Sequence, residues 1–226
     1  MSKKNTVATI ATIIVAVLAI ATSLFLLYQV SQNQIQETSY SFTPSAEVEE
    51  EMKTNAYSLI ANNCEVFRIY LQYGLPHDPE AYGNLPEDGY YTVNSNKYKT
   101  MADIETLVNG TFIEKEAKRI LTNINGDDIA VYVEETDDDG NKGIGLDMNM
   151  VDENGRFKAI DYDYSWENAA LILRPVSNSE CDLLISLNPL GSTTSDSSSA
   201  DSGETKQMTA NMVKVNGKWL LQKLVY

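Results

Sequence analysis

Residues 7–28, VATIATIIVAVLAIATSLFLLY, form an apolar run without charge, Pro or Gly, and the nearest charged side chains are Lys4 and Glu37. As a helix these 22 residues span roughly 33 Å, enough to cross a hydrocarbon core of about 30 Å. Lys3 and Lys4 precede the run, and no Lys or Arg lies between Gln29 and Glu37. The positive-inside bias therefore predicts a cytoplasmic N-terminus (1–6), a transmembrane signal anchor (7–28) and an extracellular remainder. A cleaved signal peptide is the competing reading. Against it, the one Ala-x-Ala, Ala19-Ile20-Ala21, lies inside the run, which also exceeds the ~7–15 residues of a signal-peptide core. Tyr28 falls where an interfacial aromatic is expected.

All 32 acidic residues lie beyond the run, with 15 of the 17 basic ones. Such a surface disfavours nucleic acid and other polyphosphates, whose binding requires clustered Lys and Arg. It favours basic proteins or cations. Two cysteines, Cys64 and Cys181, and one histidine, His77, lack the spacing of a zinc site.

Residues 29–55 are polar, with Pro44 and the acids Glu47, Glu49, Glu50 and Glu51, and read as a stalk turning helical at its end. The folded domain is expected over 56–226. Apolar side chains at 56, 59, 60, 64, 66, 67, 70, 71 and 73 predict a helix over 56–73, stopped by Gly74 and Pro76. Leu75–Gly89, rich in Pro and Gly, reads as a loop carrying a solvated His77. Thr100-x-x-Asp103 resembles a capping box opening a short helix, Met101–Val108, that Gly110 ends. A second helix is expected over Ile113–Leu121, with Glu114 and Lys118 paired on its wet side.

From Ile129 the period becomes two, with Ile129, Val131 and Val133 on one face. Strands are expected over Ile144–Met150, Phe157–Tyr164, Ala169–Val176 and Cys181–Leu187, the last with Cys181, Leu183, Ile185 and Leu187 together. Residues 191–206, GSTTSDSSSADSGETK, read as a disordered loop. Asn216-Gly217 marks a hairpin between Met208–Val215 and Lys218–Val225, with Trp219 in the core. Helices followed by antiparallel strands predict an α+β fold with a curved sheet packed on the long helix. If Cys64 and Cys181 face the same interior and their Cα atoms come within about 7 Å, a disulfide joins them.

For chemistry the chain offers little. No glycine pattern of a nucleophile elbow surrounds any serine, and P-loop and dinucleotide turns are missing from the sequence. A non-enzyme without cofactor is expected. Asp137-x-Asp139-x-Asn141 opens like a calcium loop, but Lys142 stands where Gly is needed and Met148 where Glu closes the site. It remains a weak metal candidate. Asp161, Tyr162, Asp163, Tyr164, Trp166 and Glu167 interleave carboxylates with aromatics, a composition that suits an interface with a basic protein. The bland alternative is one strand with a buried aromatic face.

A helix ends Tyr70-Leu71-Gln72-Tyr73-Gly74, and Lys97-Tyr98-Lys99-Thr100 follows a Tyr-containing strand. Thr111-Phe112 followed by Ala117 comes next, with the closing Asn216-Gly217-Lys218-Trp219 hairpin. Together, over roughly residues 55 to 226, these segments resemble the IseA-type inhibitors of DL-endopeptidases. The resemblance implies a cystatin-like fold and an exported non-enzyme that blocks the groove of papain-like peptidases cutting peptidoglycan stem peptides. This chain departs from the family in its apolar N-terminal run and its serine-rich insertion. A cone-type ligand- or protein-binding scaffold is the alternative expectation.

Overall fold

A computed structural model describes residues 42–77, 89–126, 129–136, 139–190 and 205–226. The expected anchor (7–28) and the serine-rich stretch up to 204 lie outside the described residues. Among those described, no helix is long and apolar enough to cross a membrane.

Helix α1 spans Ala46–Phe67, with Ser45 as N-cap and Glu47 and Glu49 in the first turn, where carboxylates suit the positive end of the helix dipole. It begins ten residues before the expected start, inside the stretch read as stalk. Its buried stripe explains why: Met52 is fully buried and continues as Ala56, Leu59, Asn63, Val66 and Phe67. The Glu51 carboxylate, itself part-exposed, also reaches the sheet, accepting from Lys214 Nζ (2.5 Å) and Trp219 Nε1 (3.1 Å). Glu51 thus ties this part of the helix to the sheet, while Glu47, Glu49 and Glu50 stay exposed.

At Arg68–Gln72 the helix widens into a π-turn, and Ile69, Tyr70 and Leu71 are all buried. Tyr73 N–H donates back to Arg68 O at 2.8 Å. Gly74 then leaves the helix at φ +66°, a left-handed conformation that favours glycine.

Strand β1 (Tyr90–Thr92) precedes α2 (Met101–Thr111) and α3 (Glu114–Asn123). The capping box forms: Asp103 Oδ2 accepts from Thr100 N–H (2.9 Å) and Lys99 N–H (2.8 Å). Helix α2 continues through Gly110, and Phe112 ends it by leaving to pair with Leu221. In α3 the pair that forms is Glu116–Arg119.

Two antiparallel sheets follow. β1, β2 (Tyr132–Thr136) and β3 (Lys142–Asp147) pair in the order β1-β3-β2. β4 (Tyr164–Ser177), β5 (Glu180–Pro189), β6 (Lys206–Val215) and β7 (Lys218–Leu221) pair in chain order. The architecture is α+β, helices against a curled antiparallel sheet that forms a half-barrel. Cys181, Leu183, Ile185 and Leu187 are fully buried on one face of β5, as their alternation predicts, and Trp219 is buried too. Asn216 (φ 51°) and Gly217 (φ 82°) make the β6–β7 turn.

Three expected strands change. β2 starts at Tyr132, and Val131 and Tyr132 are both buried; the Tyr132 hydroxyl bonds α1's π-turn, which draws its ring inward against the predicted alternation. The strands expected over 157–164 and 169–176 become a single strand beginning at Tyr164. Phe157 makes only an isolated bridge to Val151, and Ile160 N–H donates to Leu71 O at 2.9 Å. That bond ties the segment to the helix instead of to a sheet.

Candidate functional site

The pairing of β4 with β5 breaks where the aromatic-acidic cluster lies. Ser165 pairs with Asn188 and Ala170 with Ser186, so Trp166–Ala169 face the single residue Leu187. Asn168 takes up this excess at φ 60°, a conformation that Asn tolerates better than most side chains. A bulge of this kind bends its strand and re-aims its side chains, and bulges cluster at sheet edges and functional sites.

Between the bulge and the outer flank of α1 lies an open cleft of about 690 Å³. Tyr57, Ile60, Ala61, Cys64 and Arg68 line it from the helix, and Trp166, Glu167, Asn168 and Ala169 from the bulge. The helix residues recur at helical spacing beside the buried stripe. This second stripe was readable in the sequence, but nothing local says that a bulge faces it.

Of the cluster singled out above, only Trp166 and Glu167 line the cleft. Tyr162 supports it from behind, its ring 4.8 Å from Phe67, which also packs on Trp166 (6.5 Å) and stacks on Tyr226 (5.6 Å). Burial pushes the Tyr162 phenol up to about 12, so it stays protonated at neutral pH. Its hydroxyl and the Trp166 indole N–H are buried beside each other, near hydrogen-bond range, and neither has a well-aligned partner among the described residues. Tyr164 meets Tyr162 edge-on, and Lys206 Nζ sits over both rings, at 4.9 and 5.2 Å. Asp161 and Asp163 are exposed beside them. The alternation of the bland reading is present, with Tyr162, Tyr164 and Trp166 half-buried against the core and Asp161, Asp163 and Glu167 exposed, although the strand begins only at Tyr164 and bulges after Ser165.

The charges of the cleft are Arg68 and Glu167, both exposed. Arg68 forms no salt bridge among the described residues, and its charge counteracts the effect of burial on the Cys64 thiol. Burial nonetheless raises that thiol, and raises Cys181 to about 11. Both sulfurs are thus held as thiols, the opposite of what a nucleophile needs.

The expected disulfide is not formed: Cys64 and Cys181 are free and buried. Cys181 pairs with Pro175, five residues along β5 from Ser186 opposite Ala170, roughly 17 Å at the rise of a strand. Cys64 packs at the other end, beside the bulge. Facing the same interior does not bring the two sulfurs together.

His77 is not a solvated loop histidine. It is half-buried, with Nδ1 3.1 Å from Leu75 O and Nε2 3.0 Å from Gly155 O. Each ring nitrogen faces a backbone carbonyl, a neutral ring donates its one N–H to one of them, and the ring lies between the loop after α1 and the Asp152–Arg156 turn. Asp139 and Asn141 are exposed, and Asp137 lies outside the described residues. Among the described residues no group of three or more His, Cys, Asp or Glu is placed to hold a metal ion. Comparison with protein-family models and with curated proteins finds no match for this chain.

Proposed function

We propose that this chain is a membrane-tethered, extracytoplasmic, non-enzymatic binding domain of cystatin-like build. In this reading the cleft between α1 and the β4 bulge receives an apolar side chain of a basic protein partner, and the partner is a cell-wall DL-endopeptidase kept from its substrate. The observation that carries the reading is the bulge itself: four residues withdrawn from the β5 ladder wall a cleft together with an aromatic and aliphatic helix flank. Such a recess, with an aromatic anchor point at its centre and charges at its rim, has the composition of an interface hot spot. The acidic surface supports attraction to a basic partner, and the charge-free run 7–28 supports the tether.

The test uses the full chain in detergent micelles. At stoichiometric amounts it slows peptidoglycan digestion by a DL-endopeptidase, less so as salt rises, and Trp166→Ala relieves the inhibition while the circular dichroism spectrum is unchanged. Undiminished digestion by several such peptidases would sink the inhibitor reading. The cleft volume also falls within the ~300–1,000 Å³ of small-ligand sites, which supports a ligand-binding scaffold as the second reading. Thermal stabilisation by a small apolar ligand, lost in Trp166→Ala, would favour it.

A further inference from the structure

The four-stranded sheet treats its two edges differently. The β7 edge is covered: Leu221 pairs in parallel with Phe112, and Ile113 N–H donates to Leu221 O at 2.9 Å. β4 has β5 on one side and, among the described residues, no strand on the other. An open edge invites pairing with another chain, and proteins usually blunt it with Lys, Pro or a bulge. β4 carries no Lys. Its bulge lies at Trp166–Ala169 and its Pro at 175, so both devices flank the window Ala170–Arg174 (ALILR), whose single charge, Arg174, stands at its end and leaves Ala170–Leu173 unguarded.

Within that window Leu171 and Leu173 lean on the core, while Ala170, Ile172 and Arg174 share the outer face. Ile172 is 55% exposed, more than any other large apolar side chain of this sheet's strands. The window is complementary to itself. Run antiparallel against its own copy about an axis at Ile172, it sets Ile172 on Ile172, Leu171 on Leu173 and Ala170 on Arg174. Moving the axis to Arg174 would oppose two guanidinium groups, and like charges directly opposite destabilise a strand pair. With the axis at Ile172, Pro175, which has no N–H to donate, falls at the end of the ladder.

We propose that a second copy of this chain covers this edge, β4 pairing antiparallel with β4 about a two-fold axis at Ile172, so that two four-stranded sheets become one. Such a contact is isologous and closed. It leaves the α1 cleft free, and it does not depend on what that cleft binds.

The test is cysteine cross-linking of the full chain in detergent micelles, because it reads the β4 register even if the apolar run at 7–28 associates by itself. Directly opposed residues of an antiparallel pair have Cα atoms about 4.5–5.5 Å apart, within disulfide range. Mild oxidation of Ile172→Cys gives a covalent dimer. Val215→Cys, exposed at the far side of the same sheet, stays monomeric under the same conditions. Neither Ala170→Cys nor Arg174→Cys cross-links strongly alone, whereas the double variant does. Ile172→Lys, a substitution at an exposed position, abolishes chemical cross-linking through this edge with an unchanged melting temperature. Equal dimer from Ile172→Cys and Val215→Cys overturns the proposal. So does a disulfide-linked dimer of the Ala170→Cys, Arg174→Cys double variant that forms equally when Ile172→Lys is added.

Discussion

The Tyr132 hydroxyl donates to Ile69 O and accepts from Leu75 N–H, each at 2.8 Å. A residue of the three-stranded sheet thus completes the hydrogen bonding around the π-turn that ends α1, and the helix cannot leave this position without orphaning a buried carbonyl. The turn also carries Arg68, the cationic end of the cleft.

Tyr132→Phe is expected to destabilise the fold by about 2–3 kcal/mol, because it strands one donor and one acceptor in the core. Tyr70, in edge contact with Tyr132 at 5.3 Å, buries its hydroxyl without a partner among the described residues. Removing that hydroxyl in Tyr70→Phe is expected to be neutral or slightly stabilising. Urea titration of the two variants separates them; equal losses would mean that Tyr70 has a hidden partner.

Glu116 sets part of the acid sensitivity. Burial pushes its carboxyl up, but hydrogen bonds from Arg119 and from Leu224 N–H, with the Arg119 charge, outweigh burial and hold it below the usual range. A folded-state value below the unfolded one stabilises above the unfolded value, near pH 4.3, and that stability is lost as pH falls through the folded value. Thermal unfolding between pH 7 and 3 should show an acid limb that Glu116→Gln flattens. Glu116→Ala should cost about 2–3 kcal/mol at pH 7, less than a fully buried broken pair, because the Arg119 side chain is 41% exposed.

Two glycines with the same sign of φ should respond differently. A Cβ at Gly217 meets nothing within 4 Å, whereas at Gly74 it would stand 2.7 Å from Phe157 Cγ. Gly217→Ala adds only backbone strain, about 1 kcal/mol. Gly74→Ala adds overpacking to that strain, about 3 kcal/mol in all. Melting temperatures of the two variants check the ratio; equal shifts would show that the Phe157 ring moves aside freely.

Both cysteines should count as free thiols under denaturing, non-reducing conditions. In the folded protein a thiol reagent should label Cys181 slowly at pH 8, since burial keeps it protonated and covered. A reducing agent should leave the melting temperature unchanged. A drop on reduction would restore the disulfide.

Much of the fold was legible locally. The capping Asp103, the glycine after α1, the alternation of Cys181–Leu187 and the Asn216-Gly217 turn each act within a few residues through steric and hydrogen-bond preferences, so a linear reading reaches them. The expected stalk does turn helical at its end, but the helix begins as early as Ala46 and is packed there, because Met52 is buried and Glu51 is held by sheet residues 163 and 168 positions later. Sequence also marked Trp166 and Glu167, from composition alone, without showing what they line.

The chain by itself determined the apolar N-terminal run, the acidic surface, the order of helices before strands and the residue types of the core, because each follows from what neighbouring side chains do to water and backbone. Only tertiary structure decided that β4 slips against β5 at Trp166–Ala169, that this bulge lies across from Tyr57 and Arg68, that the two cysteines stand apart, and that β4 has, among the described residues, a strand on one side only. Those outcomes depend on strand register and on which element packs where, and register is a property of pairs of segments that no single segment encodes.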